Sequence, residues 1–324
     1  MSIIFSQTQC KVKDIFDYFG HYPDCDFILH PYFEDSEFAN IPDRPDLPLL
    51  IWDGVEAYPG DTSSIDRDFL YVTGNWNAVE SKNMMRFCSN DFAASKIWRN
   101  QLSWNTNKTK KFLFLNGKDV GHRRYIYTHL WQNNILEDSI YSYQTVEDMD
   151  WWYHPRLEFT QHDIDYSKLA LHTLPHQPFD TTNLVRNLSQ SIYSNTYCSI
   201  VGETLFQHYP GETPQMMFSE KTFSACANLH MFVVAGPYLG LEWLRSRGFE
   251  TFGDVWDESY DTEDSPKRRL QAICNTIDYI NKQDLAKLYL HCKDRLLHNQ
   301  NLIYTIDIKS RVDAITLRLL DSTK

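Results

Sequence analysis

Short apolar runs recur along the chain, each closed by turn-forming or polar residues. Residues 49–52 (LLIW) follow Pro48, residues 112–115 (FLFL) run into Asn116-Gly117, and residues 231–234 (MFVV) run into Ala235-Gly236-Pro237. Runs without polar alternation predict strands buried on both faces, as parallel sheets require. Residues 69–72 and 197–201 predict two more strands, and residues 2–5 an edge strand.

Between the runs the apolar spacing turns helical. Residues 123–133 predict a helix after the FLFL strand, and Leu184, Leu188 and Ile192 fall on one helical face. Ser219 supplies an N-cap hydroxyl for the next helix. A helix carrying Leu241 and Leu244 stops at Gly248, a C′ glycine with Phe249 as its hydrophobic partner. Ser265-Pro266 combines an N-cap with proline at N1, and Leu270, Ile273, Ile277 and Ile280 mark the buried face that follows. Strands alternating with helices define an α/β protein whose parallel sheets are covered on both sides.

The first third is less regular. Residues 23–48 read as a long Pro- and Asp-rich surface loop, and a helix over 93–102 closes a first domain. The polar stretch 103–111 reads as a linker, which sets domains of 1–105 and 106–324. Residues 151–178 are rich in His, Asp and aromatics, lack a clean period, and read as an insertion or loop.

A length of 324 residues suits two α/β domains, and 42% hydrophobic with 23% charged residues is ordinary for a soluble globular protein. Aromatics reach 15%, which serves large cores or the stacking of sugars and bases. A net charge of −12 argues against a broadly basic nucleic-acid surface. The seven cysteines include no C-x-x-C pair, so they suggest neither a zinc knuckle nor a disulfide framework, but small buried hydrophobes in a reducing compartment. The N-terminal apolar run is too short for a signal peptide or membrane anchor, which predicts a cytosolic protein.

Four segments carry candidate chemistry. In residues 216–236, Glu220 and Lys221 occupy the first turn of a helix at the carboxyl end of a sheet, where open α/β folds bind ligands. A helix start favours anions, an added lysine suits a diphosphate, and a carboxylate suits ribose hydroxyls. Ordinary helix-start composition would also place Ser, Glu and Lys there. In residues 112–131, His122, Arg123 and Arg124 crowd a helix N-terminus, against its dipole, unless an anion sits among them. Glu203 follows the strand of residues 197–201, as a ligand-facing carboxylate or a solvated strand end. Asp53 and Glu56 leave the LLIW strand of the first domain, as an acidic loop or as a general base facing a cleft.

Taken together, these segments resemble the family 10 fucosyltransferases and related bacterial and viral glycosyltransferase-like proteins. The residues concerned are Trp52 to Glu56, KTKKFLFLNG with Arg123 or Arg124, Gly202-Glu203-Thr204, and Ser219-Glu220-Lys221. Order and spacing agree over residues 112–236. The sequence departs from the family pattern at Thr204, where the family has asparagine, and at Ala57-Tyr58-Pro59, which displaces the proline after the first-domain glutamate.

The resemblance implies a GT-B fold, two Rossmann-like domains facing across a cleft. It also implies an inverting transfer of sugar from a nucleotide diphosphate sugar to an acceptor hydroxyl of a glycan or small molecule. Glu220 would bind the ribose, Lys221 with Arg123 or Arg124 the diphosphate, and Glu56, or else Asp53, would be the base. Beyond the donor substrate no cofactor or metal is implied, because cations and the helix dipole neutralise the leaving group. Asp148-Met149-Asp150 and Asp163-Ile164-Asp165 read as loop carboxylates. Two rival readings stand beside this one. One is a viral DNA glycosyltransferase with a basic groove around Lys108, Lys110 and Lys111 and a flipped base on Trp151 or Trp152. The other is a non-catalytic nucleotide-sugar-binding module.

Overall fold

The computed structural model describes residues 3–4, 26–29, 49–53, 68–74, 77, 80–87, 101–116, 120–143, 190–206, 216–307, 310–311, 313–315 and 317–318. The chain divides into two compact units, Met1–Ala93 with Thr213–Met217 and Ile306–Lys324, and Ala94–Glu212 with Phe218–Thr305. Each unit is built on a parallel sheet, and the second alternates strands with helices.

In the first unit the strands are β1 (Ile3–Ile4), β2 (Asp26–Leu29), β3 (Leu49–Asp53), β4 (Phe69–Thr73) and β5 (Met84–Arg86). They lie side by side in chain order, every pair parallel, with Leu50 level with Leu70 and Asp53 level with Thr73. Leu50, Leu70, Tyr71 and Val72 are all buried. Because successive strand residues point to opposite faces, burial of three in a row in β4 means that both faces of the strand are covered.

The second unit runs β6 (Lys110–Asn116), α1 (Gly121–Gln132), β7 (Ser139–Tyr143), α2 (Ser191–Ser194), β8 (Thr196–Gly202), α3 (Glu220–Ala227) and β9 (Met231–Ala235), followed by α4 (Gly240–Ser246), α5 (Pro266–Asn281), α6 (Leu285–His291) and α7 (Lys293–Tyr304). Its sheet has the order β7-β6-β8-β9, again all parallel. β8 and β9 are buried at every position. From β6 the chain crosses to β7 on one side, and from β8 to β9 on the other. Right-handed crossovers in opposite directions put α1 and α3 on opposite faces. α5 joins α1, with Tyr125 Oη donating to Gln271 Oε1 and His129 Nε2 lying 2.8 Å from Asp278 Oδ1. α7 joins α3, where Gln300 Nε2 donates to the Ala227 carbonyl.

The helix signals act as the sequence expects. Ser219 Oγ accepts from the Lys221 N–H, and Ser265 Oγ accepts from the Arg268 N–H beside Pro266. Leu270, Ile273, Ile277 and Ile280 form the buried stripe of α5. Gly248 lies at φ +89°, its N–H donates to Arg245 O, and the Phe249 N–H donates back to Leu244 O. That pair of bonds is a Schellman closure, with Phe249 buried against Phe223.

Residues 101–109 are not helical. The N–H groups of Thr109 and Lys110 donate to Asn195 O, Tyr197 Oη donates to Thr106 O, and Gln300 donates to Leu102 O. Trp104 stacks on Tyr289 at 4.4 Å, with Lys293 over the ring of Trp104 and Lys108 over that of Tyr289. Cys198, Cys226, Cys274 and Cys292 are buried free thiols, and burial raises the pKa of each. Among the described residues, no helix is long and apolar enough to cross a membrane.

Candidate functional site

In an open parallel sheet a ligand site forms outside the carboxyl ends of two neighbouring strands whose connections leave in opposite directions. Among the described strands of the first unit the order never reverses. In the second unit it reverses between β6 and β8, so the carboxyl ends of these two strands, Asn116 and Gly202, mark the site.

α1 begins directly above them. Its N-cap is Val120, which offers no side-chain bond, and its first turn holds no acid. Instead Arg123 reaches back over β8, with Nε donating to Gly202 O and a terminal nitrogen donating to Glu203 O, both at 3.1 Å. His122 Nε2 also donates to Glu203 O, at 2.9 Å. The His122 ring stacks on Phe206 at 4.9 Å, and the Arg269 guanidinium covers the ring of Phe206 at 4.4 Å. Arg269, from the first turn of α5, donates to the carbonyls of Phe206 and Glu263, and its Nε has no partner. Arg124 is half-buried, and its carbonyl accepts from Thr128 Oγ1.

Cations and carboxylates meet at this edge around a neutral ring, with Lys221 beside Glu220 and with Asp261, Glu263 and Asp264 acting on Arg269. Burial holds His122 well below the usual histidine range, and Arg123, Arg269 and Lys221 push it the same way, against the bond to Glu203 O. Nε2 donates to a carbonyl, so Nε2 carries the proton of the neutral ring. Burial also lowers Arg269, to about 10, which leaves it cationic at neutral pH.

Glu203 is fully buried and turned toward α3. One oxygen accepts from the Ser219 N–H at 2.9 Å, and the other accepts from the N–H and the hydroxyl of Thr222 at 3.3 and 2.6 Å. An internal carboxylate thus meets the free N–H groups of that helix start. Lys221 Nζ lies 3.5 Å from Glu220 Oε1 and donates to Ser219 Oγ. The structure therefore brings Arg123, Glu203, Glu220 and Lys221 to one edge of one sheet.

In the first unit, Asp53 is the last residue of β3. Glu56, Trp151, Trp152, Asp148, Asp150, Asp163, Asp165 and the histidines of 154–176 lie outside the described residues. Among the described residues no group of three or more His, Cys, Asp or Glu side chains could share a metal ion. Lys108, Lys110 and Lys111 lie at the amino end of β6, each donating to a separate carbonyl, those of Tyr193, Glu137 and Asn281.

Sequence reasoning missed Arg269, Phe206 and Asn116 as site residues. Arg269 stands in an Arg-Arg pair that reads as helix surface, and Asn116 reads as the first half of an Asn-Gly turn. Arg269 and Phe206 meet only through the reach of the Arg269 side chain from α5 to the residues that follow β8.

The fold and this edge define an α/β protein with a cation-rich carboxyl edge in its second sheet. No protein-family model matches the chain, and no curated protein matches it in sequence. Among solved structures the chain is similar to one described as an S. aureus MnaA–UDP co-structure. The TM-score is 0.42 and the identity 10%, over 100% of this chain and 82% of that one.

Proposed function

We propose that the protein is a nucleotide-sugar-dependent glycosyltransferase of the GT-B type that binds its donor diphosphate at the β6–β8 edge. The observation that carries this reading is the gathering of Arg123, Arg269 and Lys221 around a neutral His122 at the point where the strand order reverses. Arg123, Lys221 and Arg269 each stand in the first turn of a different helix, α1, α3 and α5, where a cation opposes the dipole and a bound dianion relieves the conflict. A diphosphate leaving group needs the same neutralisation as its bond to the sugar breaks.

The reaction is an inverting transfer. A carboxylate, Glu56 first and Asp53 second, takes the proton of an acceptor hydroxyl of a glycan or small molecule. The oxygen attacks the anomeric carbon, and the diphosphate leaves toward Arg123, Arg269, Lys221 and Arg124. Glu220 pairs with the ribose hydroxyls. Glu203 acts through α3, whose first turn it fixes, and is a positioning residue. No metal takes part, so transfer is expected to survive EDTA.

The test is thermal unfolding with UDP and GDP, followed by transfer assays with their sugar conjugates. Binding to the native state alone stabilises by about 2.7 kcal/mol at a hundredfold excess over Kd. Lys221→Ala is expected to remove most of that shift. Absence of a shift with either nucleotide would sink the reading. A shift with neither transfer nor hydrolysis would make the protein a binding module.

A further inference from the structure

We propose that the side-chain carboxamide of Asn116 is a specificity-determining group of this edge, kept unpaired inside the protein to take a vicinal pair of hydroxyls on the ligand. The inference rests on the nucleotide-sugar reading above and adds to it the group that recognises the carbohydrate part.

Asn116 closes β6 and is 1% exposed, and neither its Nδ2 nor its Oδ1 has a hydrogen-bond partner. Buried polar side chains nearly always find partners, and those that do not call for an explanation. Trp256 and Tyr260 each leave a single polar atom on a large apolar ring unpaired, whereas Asn116 leaves an entire carboxamide. The surroundings preserve that state. β6 and β8 pair as far as Leu113 opposite Ser199, and beyond that point a Cβ at 202 would stand 3.1 Å from Asn116 Oδ1 and 2.8 Å from Arg123 Cγ. Glycine therefore leaves the carboxamide its space. Arg123, whose side chain borders the same space, directs its Nε and one terminal nitrogen to the carbonyls of Gly202 and Glu203.

The chemistry of the unpaired group selects its ligand. Oδ1 accepts and Nδ2 donates, so a phosphate would satisfy only Nδ2 and a cation only Oδ1. Two neighbouring hydroxyls satisfy both, one donating to Oδ1 and the other accepting from Nδ2. Beside a cation cluster suited to a diphosphate, such a diol is the ribose of the nucleotide or the ring of the attached sugar. Both sources have the same chemistry, and the test separates them.

The experiment compares wild type, Asn116→Leu and Asn116→Ala by thermal unfolding and by titration with pyrophosphate, ribose 5-phosphate, UDP and UDP-glucose. Leucine nearly matches asparagine in shape, and alanine repeats the test if leucine does not fold. Removal of an unpaired buried amide takes away a desolvation penalty, so Asn116→Leu is expected to melt at or above the wild-type temperature. Pyrophosphate binding should be unchanged, while the carbohydrate-bearing ligand loses about tenfold or more in affinity, as expected for two lost hydrogen bonds. Loss for UDP, UDP-glucose and ribose 5-phosphate alike assigns the ribose, loss for UDP-glucose alone assigns the transferred sugar, and loss for both nucleotides with ribose 5-phosphate spared assigns the nucleobase and overturns the diol. Unchanged affinity in the variants, or an Asn116→Leu variant that melts several degrees lower, overturns the inference and leaves the donor site standing. A wild-type protein that binds neither UDP nor UDP-glucose overturns both.

Discussion

Lys108 and Glu203 are buried charges at opposite ends of the same sheet, and the protein accommodates them differently. Glu203 accepts from three donors at the start of α3. Lys108 has one carbonyl acceptor, that of Tyr193 at 2.7 Å, and the face of Tyr289. Burial prevails over both and lowers its pKa from 10.5 to about 7. His230, fully buried beside it, is held well below the usual histidine range by burial and by Lys108. The consequence for Lys108 is a stability that rises with pH. Between about 7 and 10.5 the unfolded chain holds the lysine proton and the folded protein has released it, so each step up in pH favours folding. The slope is at most about 1.4 kcal/mol per pH unit. Urea unfolding of wild type and Lys108→Met between pH 7 and 10 measures it. The wild type should gain stability relative to the variant across that window, and parallel curves would show that Lys108 has an ordinary pKa.

At the scale of elements, α3 depends on the residue that ends the strand before it. Ser219 caps one N–H, and Glu203 takes the N–H groups of Ser219 and Thr222 from outside the helix. Glu203→Gln keeps the shape but turns an amide N–H toward a backbone N–H or a hydroxyl. The expected loss is about 1–3 kcal/mol in urea unfolding, the range for a buried donor left without its acceptor. A change within a few tenths would mean that the helix start is held by Ser219 alone. Elements of this kind were legible where the signal is local. The LLIW, FLFL and MFVV runs are β3, β6 and β9, Ser265-Pro266 opens α5, and Gly248 with Phe249 closes α4, because burial on both faces and cap geometry are written in neighbouring residues. β5 and β7 carry no unbroken apolar run and were not foreseen, and β2 (Asp26–Leu29) lies within the stretch 23–48 that the Pro and Asp content reads as a loop. The polar stretch 103–111 reads as a linker by composition, yet Trp104, Lys108 and the Asn195 carbonyl bind it to the second unit. Tyr193, the partner of Lys108, stands 85 residues further on, and Tyr289, the partner of Trp104, further still, beyond the reach of any local pattern. The candidate site divides in the same way. Arg123, Glu220 and Lys221 were visible as charges at helix starts, whereas Arg269, Phe206 and Asn116 depend on which strands and helices meet.

At the scale of the whole molecule, the proposed labour is divided by unit. The donor groups Arg123, Lys221, Arg269 and Asn116 all belong to the second unit, and the carboxylates offered as the base follow or end β3 in the first. Binding and chemistry should therefore separate by mutation. Glu56→Gln is expected to bind UDP as the wild type does while transfer slows by a factor of ~10²–10⁴, the usual effect of losing a general base. Isothermal titration and initial rates on the same preparation measure the two quantities. An active Glu56→Gln beside an inactive Asp53→Asn moves the role to Asp53, and full activity in both removes the residues after β3 from the mechanism.

The order of strands in the second sheet also bears on how the chain is made. β6 is synthesised first but lies inside the sheet, between β7 and β8. Its β7 side can pair as soon as Tyr143 has left the ribosome, whereas its other side waits for β8, roughly sixty residues later at Gly202. At elongation rates of about 5–20 residues per second, that wait lasts about 3–12 s. Throughout it, the Phe112, Leu113 and Phe114 backbone presents an open edge, with Lys110 and Lys111 as its only neighbouring charges on the strand. The nascent protein is most prone to aggregate in that interval, and a holding chaperone would protect it most if it engaged between the emergence of β7 and that of β8.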